Sequence, residues 1–302
     1  MSSHGSTDWV KALEHVSPTP DGHQKWVDAG YAREILRCSN EEITRLRSSG
    51  IQTRGDAFDL SDLWNVGLYS GTGASRPELE MTFFGLVVSP RRDWIIETEY
   101  SIALEAACPH GNECVGGRWE PPQLMRAQWH DNETAAGWVK WTGEITISGH
   151  PDTVRDPQAK KIWDTFVTDH SFHYPFMRGE QTPALTRSRR VGNCVSLSAA
   201  LHEELTGHGL SSRIRDGFLF SGRKARIHRW VEFKEDDRDW KPLDPSMAIL
   251  ASRFFTPEYA RFCEGSSLNL LARVAPGDTF HVHHWCTEDR IDLVPTVTIR
   301  KN

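Results

Sequence analysis

The chain has 302 residues, of which 38% are hydrophobic and 25% charged, with a formal net charge of −6. That length exceeds the size at which one core usually stops growing, so one large or two modest domains are expected. The acidic balance argues against a general binder of nucleic acid or anionic membrane, and no apolar run approaches the ~20 residues that span a bilayer.

From the N-terminus, residues 8–50 read as helical. Ser39 and Glu42 have capping-box spacing, and Gly50 is placed as a stop. Residues 51–78, rich in Gly, Ser and Asp, read as loops. Residues 80–88 and 94–104 are rich in β-branched and aromatic side chains and read as strands, separated by a turn at 89–93. Further strands are expected at 124–130 and 137–148. Together these make residues 1–150 a β-rich N-terminal region with a leading helical segment.

Residues 151–302 form a second region. Helical spacing returns at 156–170, with Ile162, Phe166 and Val167 on one face. A loop through Pro183 and the basic run Arg187-Ser188-Arg189-Arg190 leads to a helix starting at or near Cys194. Leu197, Leu201 and Leu205 give that helix a buried stripe, and Gly207 and Gly209 end it. Strands are expected at 213–220, 226–234 and 240–243, the last two joined by a polar turn at 235–239. From Thr279 the tail alternates like strands at 281–285, 291–294 and 296–299.

Three residues in this second region have the chemistry of a thiol nucleophile, its base and its orienter: Cys194, His228 and Asp244. The free N–H groups and dipole at a helix start favour a thiolate, and the Cys194 N–H is a natural donor to a developing oxyanion. Gly192 is expected to let the backbone turn tightly there and to leave room for substrate. His228 shares a strand face with Trp230, opposite Arg229, Val231 and Phe233. Asp244 ends the next strand, where its carboxylate can fix the imidazole tautomer, and Pro245 stops the strand. Taken singly, a cysteine, a histidine and an Asp-Pro step are most often structural. Their joint order on suitable elements is what points to catalysis.

Gly192-x-Cys194, Leu210-Ser-Ser-Arg213 with Gly217, His228-x-Trp230-Val231-Glu232 and Trp240-x-Pro-Leu-Asp244-Pro-Ser246 together resemble the transglutaminase-like superfamily over about residues 155–250. The resemblance implies an α+β, papain-like core in which the cysteine helix packs on an antiparallel sheet. It also implies thioester acyl-enzyme chemistry, with Cys194 as nucleophile, His228 as general base and then acid, and Asp244 as orienter. Trp230 matches a family aromatic expected to wall the cleft, and Ser246 stands where the family often has Thr. Trp163, Tyr174, Gln181 and Asn193 are candidates for a second oxyanion donor.

Attack by the thiol on an amide, ester or thioester gives the same acyl-Cys194, and the acceptor decides the reaction. An amine makes the enzyme a transglutaminase-like or small-molecule amide synthase, the favoured reading. Water makes it a protease or amidase, and a catalytically inactive binding module is the remaining alternative. The expected partners are an acyl donor, free or carrier-bound, and an amine acceptor, with no nucleic acid, membrane or cofactor. Arg189 and Arg190 could clamp a carboxylate or phosphate on the substrate or its carrier. The 12 tryptophans read chiefly as packing, and otherwise as a dry substrate groove.

Six sparse cysteines and a polar start fit a reducing, cytoplasmic setting. Cys108, His110 and Cys114 place three metal-ligand types in seven residues, and His281, His283, His284 and Cys286 form a second dense cluster. Structural zinc usually takes four ligands. Each cluster alone reads more simply as chance proximity or a local disulfide, and no metal ligand is assigned. Alternation puts His281 and His283 on one strand face and His284 and Cys286 on the other.

Overall fold

The computed structural model of the chain describes residues 7–88, 93–114, 117–174, 182–235, 240–286 and 289–302. Contacts divide the chain into two units, each assembled from three segments. One comprises Met1–Ser89, Pro157–Gly209 and Pro245–Arg261, and the other Pro90–Asp156, Leu210–Asp244 and Phe262–Asn302. Both draw on chain from either side of residue 150.

The first unit is mainly helical. Ser39 and Glu42 form the expected capping box, and Gly50 ends that helix at φ +102°. Residues 51–78 are not loops throughout: Leu60–Leu68 is a helix, started by Asp59, whose carboxylate accepts the Asp62 N–H at 3.0 Å. Its Gly67 fits because a Cβ there would press on Pro77 and Leu36. Residues 80–88 are likewise not a strand but part of the helix Arg76–Val88. Pro77, Glu78, Met81, Phe84, Gly85 and Val88 are its buried positions, a spacing of three and four that outweighs the β-propensity of the individual side chains. The proposed turn at 89–93 lies outside the described residues except for Asp93.

Three further helices surround the one that carries Cys194. Pro157–Asp169 buries Ala159, Ile162, Trp163 and Phe166, close to the face read from sequence. Pro183–Arg189 is a helix where a loop was expected, with Thr182 capping the Leu185 N–H and Pro183 in the first turn. Pro245–Phe254 has Pro245 through Ala251 all buried, so Pro245 does more than stop a strand: it opens a helix. An all-round apolar helix has no amphipathic period to betray it.

The second unit is built on an eight-stranded antiparallel sheet. Its strands, numbered along the chain, are β1 (Glu97–Ala107), β2 (Ala127–Ala135), β3 (Trp138–Ser148), β4 (Ser212–Ser221), β5 (Lys224–Lys234), β6 (Trp240–Leu243), β7 (Leu271–Arg273) and β8 (Thr296–Lys301). Their order is β7-β4-β5-β8-β1-β3-β2, with β6 paired to β5 beside this path. Alternation sets the buried face: Tyr100, Ile102 and Leu104 of β1, Val139, Trp141, Ile145 and Ile147 of β3, and Val297 and Ile299 of β8 share one core with Phe218 and Phe220. The chain is therefore α+β, but strand-rich structure begins only at Glu97, and the regular elements among the preceding described residues are helices apart from three short strands. Among the described residues, no helix is long and apolar enough to cross a membrane.

Candidate active site

Cys194 opens the helix Cys194–Gly207 in the helical unit. The approach to it is pinned by a short parallel pair, Ser171–Phe172 against Val191–Gly192, and by the His173 N–H donating to the Gly192 carbonyl at 2.8 Å. Leu197, Ala200, Leu201 and Leu205 are fully buried, so the expected stripe anchors the helix. Asn193 caps it: Oδ1 accepts the N–H groups of Val195 (2.9 Å) and Ser196 (3.1 Å), and Ser196 Oγ in turn accepts the Asn193 N–H. With those two donors taken, the Cys194 N–H has no acceptor among the described residues and remains available to a developing oxyanion.

Gly192 serves a purpose other than the one expected. Its φ is not positive, so the position needs no special turn. It needs space, because a Cβ there would overlap Ser196 Oγ and crowd Leu197 and Thr186 at 3.1 and 3.2 Å. Gly192→Ala is therefore expected to force Ser196 out of the capping box and cost about 1–3 kcal/mol, read as a lower midpoint in urea unfolding. An unchanged midpoint would show that the cap tolerates the methyl.

His228 and Asp244 lie in the sheet unit. In the β5–β6 pair, Val231 is opposite Leu243, and the chain beyond β6 brings Asp244 back toward His228. His228 Nε2 and Asp244 Oδ2 are 2.6 Å apart, and the two residues are only 6% and 3% exposed. The Asp244 N–H donates to the Cys263 carbonyl at 3.0 Å, which fixes the carboxylate's backbone. Burial, and after it the Asp244 charge, push the Cys263 thiol well above its ordinary value, so Cys263 is not a competing thiolate.

Trp230 is completely buried and lies beside His228, their ring centroids 5.9 Å apart and inclined by 25°. Its ring covers Gly217, where a Cβ would come within 2.7 Å. It thus backs the histidine and presents no exposed wall. Arg229 faces away and grips Asp216 through two bonds of 2.6 and 2.8 Å. Glu232, part of the same motif, is 2% exposed and is held by Arg213, Arg215 and Arg273 at 2.7–3.1 Å. Burial opposes its charge, but the guanidiniums outweigh burial and hold the carboxyl below the ordinary range. That buried network went unread in the sequence, where only the alternation of Arg213, Arg215 and Glu232 hinted at it.

Arg189 and Arg190 are exposed in the helical unit. Arg189 donates to Ser17 Oγ at 3.0 Å, and Arg190 lies 3.9 Å from Asp169. Of the candidate oxyanion donors, Trp163 is a buried core residue, Asn193 is the helix cap, and Tyr174 exchanges backbone hydrogen bonds with the Asn65 side chain. Gln181 lies outside the described residues. Trp9, Trp94, Trp141, Trp163 and Trp230 are all at most 5% exposed, so packing, the commoner reading, accounts for much of the tryptophan content.

Comparison with known proteins converges on the segment that contains these residues. Residues 140–245 match the sequence model of the transglutaminase-like superfamily, and that span includes Cys194, His228 and Asp244. This part of the chain is similar to that superfamily, which supports a cysteine-based enzyme. No curated protein matches the chain. A similar solved structure, titled "Putative Cysteine Protease from Cytophaga hutchinsonii", is 9% identical, covers 68% of this chain and 95% of its own, and superposes with a TM-score of 0.31. A likeness that remote says nothing about the reaction.

Proposed function

We propose that the protein is an acyltransferase that works through an acyl-Cys194 thioester, with His228 as base and then acid and Asp244 as orienter. The observation that carries this reading is the buried 2.6 Å pair between His228 Nε2 and Asp244 Oδ2. With Asp244 on Nε2, the working nitrogen is Nδ1. Nδ1 takes the Cys194 proton as sulfur attacks the donor carbonyl, and a C–S bond forms. The tetrahedral oxyanion takes the Cys194 N–H, then collapses and expels the leaving amine or thiol, which leaves with the proton from His228. An incoming amine then attacks the thioester and passes a proton to His228. Collapse breaks the C–S bond, returns that proton to Cys194 and releases an amide.

The burial of both His228 and Asp244 keeps their pair out of bulk solvent, and the choice between an amine and water rests with the acceptor that reaches the thioester. In this reading the donor is an amide or thioester, free or carrier-bound, and Arg189 and Arg190 offer exposed charge for an anionic group on it. Reduced surroundings such as the cytoplasm would keep Cys194 a free thiol. Hydrolysis is the second reading and differs only in the acceptor.

Intact-mass spectrometry tests the proposal directly. The protein is incubated with a panel of acyl thioesters, activated esters and amides, and then with amines. A single acyl adduct mapped to Cys194, discharged faster by an amine than by water, is the expected result. Discharge by water alone would make the enzyme a hydrolase. No adduct with any donor, or an adduct elsewhere, would overturn the mechanism.

A further inference from the structure

The two cysteine- and histidine-bearing clusters lie 170 residues apart in sequence but meet in the sheet unit. Cys108 follows the end of β1 directly, and a turn containing the Gly111 N–H to Cys108 carbonyl bond (3.0 Å) and the Cys114 N–H to Gly111 carbonyl bond (3.1 Å) carries the chain to Cys114. The strand Trp119–Glu120 then pairs with the strand Val282–Cys286, His284 opposite Trp119. Strand alternation turns His284 and Cys286 inward, as their spacing requires, and leaves His283 on the other face.

The result is a buried knot of four ligand atoms from Cys108, Cys114, His284 and Cys286, all within 4.8 Å of one another. Cys114 Sγ is 3.2 Å from His284 Nε2 and 3.6 Å from Cys286 Sγ. Tetrahedral zinc, with bonds of ~2.3 Å to sulfur and ~2.0 Å to nitrogen, puts neighbouring ligand atoms roughly 3.5–3.8 Å apart. The observed spacing needs only small adjustment to reach that. All four cysteine and histidine side chains are buried, and no disulfide joins the three cysteines, so no local disulfide accounts for their convergence.

The surroundings fit a metal as well as the ligands do. His284 Nδ1 lies 3.4 Å from the Arg118 carbonyl. Donation there fixes the tautomer that leaves the Nε2 lone pair facing the sulfurs, the usual outer-shell arrangement of a ligating histidine. The Trp119 indole stacks on the imidazole, centroids 3.6 Å apart and 14° from parallel, and locks its plane. Gly117 has no room for a Cβ against the Trp285 carbonyl and His284, so the backbone closes tightly on the knot. His110 Nδ1 lies 3.3 Å from Cys286 Sγ and 3.6 Å from Cys108 Sγ on an exposed residue, placed to hydrogen-bond thiolates from outside.

We propose that Cys108, Cys114, His284 and Cys286 bind one zinc ion, which ties the turn bearing Cys108 and Cys114 to the strand Val282–Cys286. Four protein ligands fill the tetrahedral shell and leave no position for substrate or water, so the site is structural. Three thiolates and an imidazole are soft donors, which favours zinc over magnesium or calcium. Cys194 is not among the ligands, and this inference stands whether or not the acyl-transfer mechanism does.

Elemental analysis of protein purified without chelator from zinc-supplemented medium provides the test. About one zinc per chain is expected, with near-complete loss in Cys114→Ser and Cys286→Ser and full retention in His110→Ala. Cobalt exchanged into the wild-type protein should give the intense visible bands and sulfur-to-metal charge transfer of a tetrahedral thiolate site. If the cysteine variants fail to fold, titrating the folded wild type with an organomercurial still decides the matter, because zinc release should follow the blocking of buried thiols. Iron in place of zinc would overturn the assignment. So would a metal-free protein whose Cys108, Cys114 and Cys286 alkylate freely, or a disulfide between any two of them.

Discussion

Cys194→Ala is expected to lower kcat/KM by roughly a factor of 10⁴ or more with an activated acyl ester as donor, while leaving the urea-unfolding midpoint near that of the wild type. The two halves of this result have separate causes. Sulfur is the atom that bonds to the acyl group, and nothing else in the side chain can substitute for it. Structurally, Cys194 is the first residue of its helix and only half-buried, and alanine is the strongest helix former. The cap belongs to Asn193 and the burial to Leu197, Leu201 and Leu205, none of which the substitution touches. Asp244→Asn belongs to the same series: an amide can still occupy the space near Nε2 but no longer favours the imidazolium, so a large loss in kcat with little change in KM is expected. Full turnover in Cys194→Ala would end the acyl-cysteine mechanism.

Glu232→Gln should have the largest effect on stability, about 3–5 kcal/mol. The carboxylate is 2% exposed, and Arg215, 4% exposed, is bound to it through both Nε and Nη2. Arg273 reaches its other oxygen at 3.1 Å. The amide would leave those guanidiniums without a counter-charge in a buried setting, and its NH₂ would face donors where acceptors are needed. The pH dependence gives this prediction a signature. A carboxylate held below its usual value contributes stability that is fully present above the unfolded value, near 4.5, and is lost as pH falls through the lower folded value. The wild type and Glu232→Gln should therefore differ most at neutral pH and converge in acid. A constant gap in urea midpoint down to strongly acidic pH would show that shape, not charge, sets the effect.

The parts of the site that depend on local pattern were legible in the sequence. Three leucines at intervals of four marked the Cys194 helix, and the strands around His228 and before Asp244 appear within two residues of where alternation puts them. What escaped was set by contacts distant in sequence. Residues 80–88 look like a strand until their buried positions are known, and Pro245–Phe254 has no period because every side of its first two turns is buried. The cysteine clusters are a sharper case. Neither half has the close pairing that usually signals zinc, and only the antiparallel register of Trp119 against His284 makes them one group. The Arg–Glu network likewise exists only because β4, β5 and β7 are neighbours.

The position of β8 has a consequence for how the molecule comes into being. Residues 296–301 do not sit at the rim of the sheet. They run between β5, made about seventy residues earlier, and β1, made nearly two hundred earlier. Until Lys301 is available, the β4–β5 hairpin and the group of β1, β3 and β2 are two fragments; β6 covers β5 only from Val231 to Lys234, so the Lys224–Ala225 end of β5 and the outer side of β1 present open edges. The sheet that positions His228 is thus closed like a zip by a late piece of chain, and the nascent protein must keep two adhesive edges from other partners while it waits.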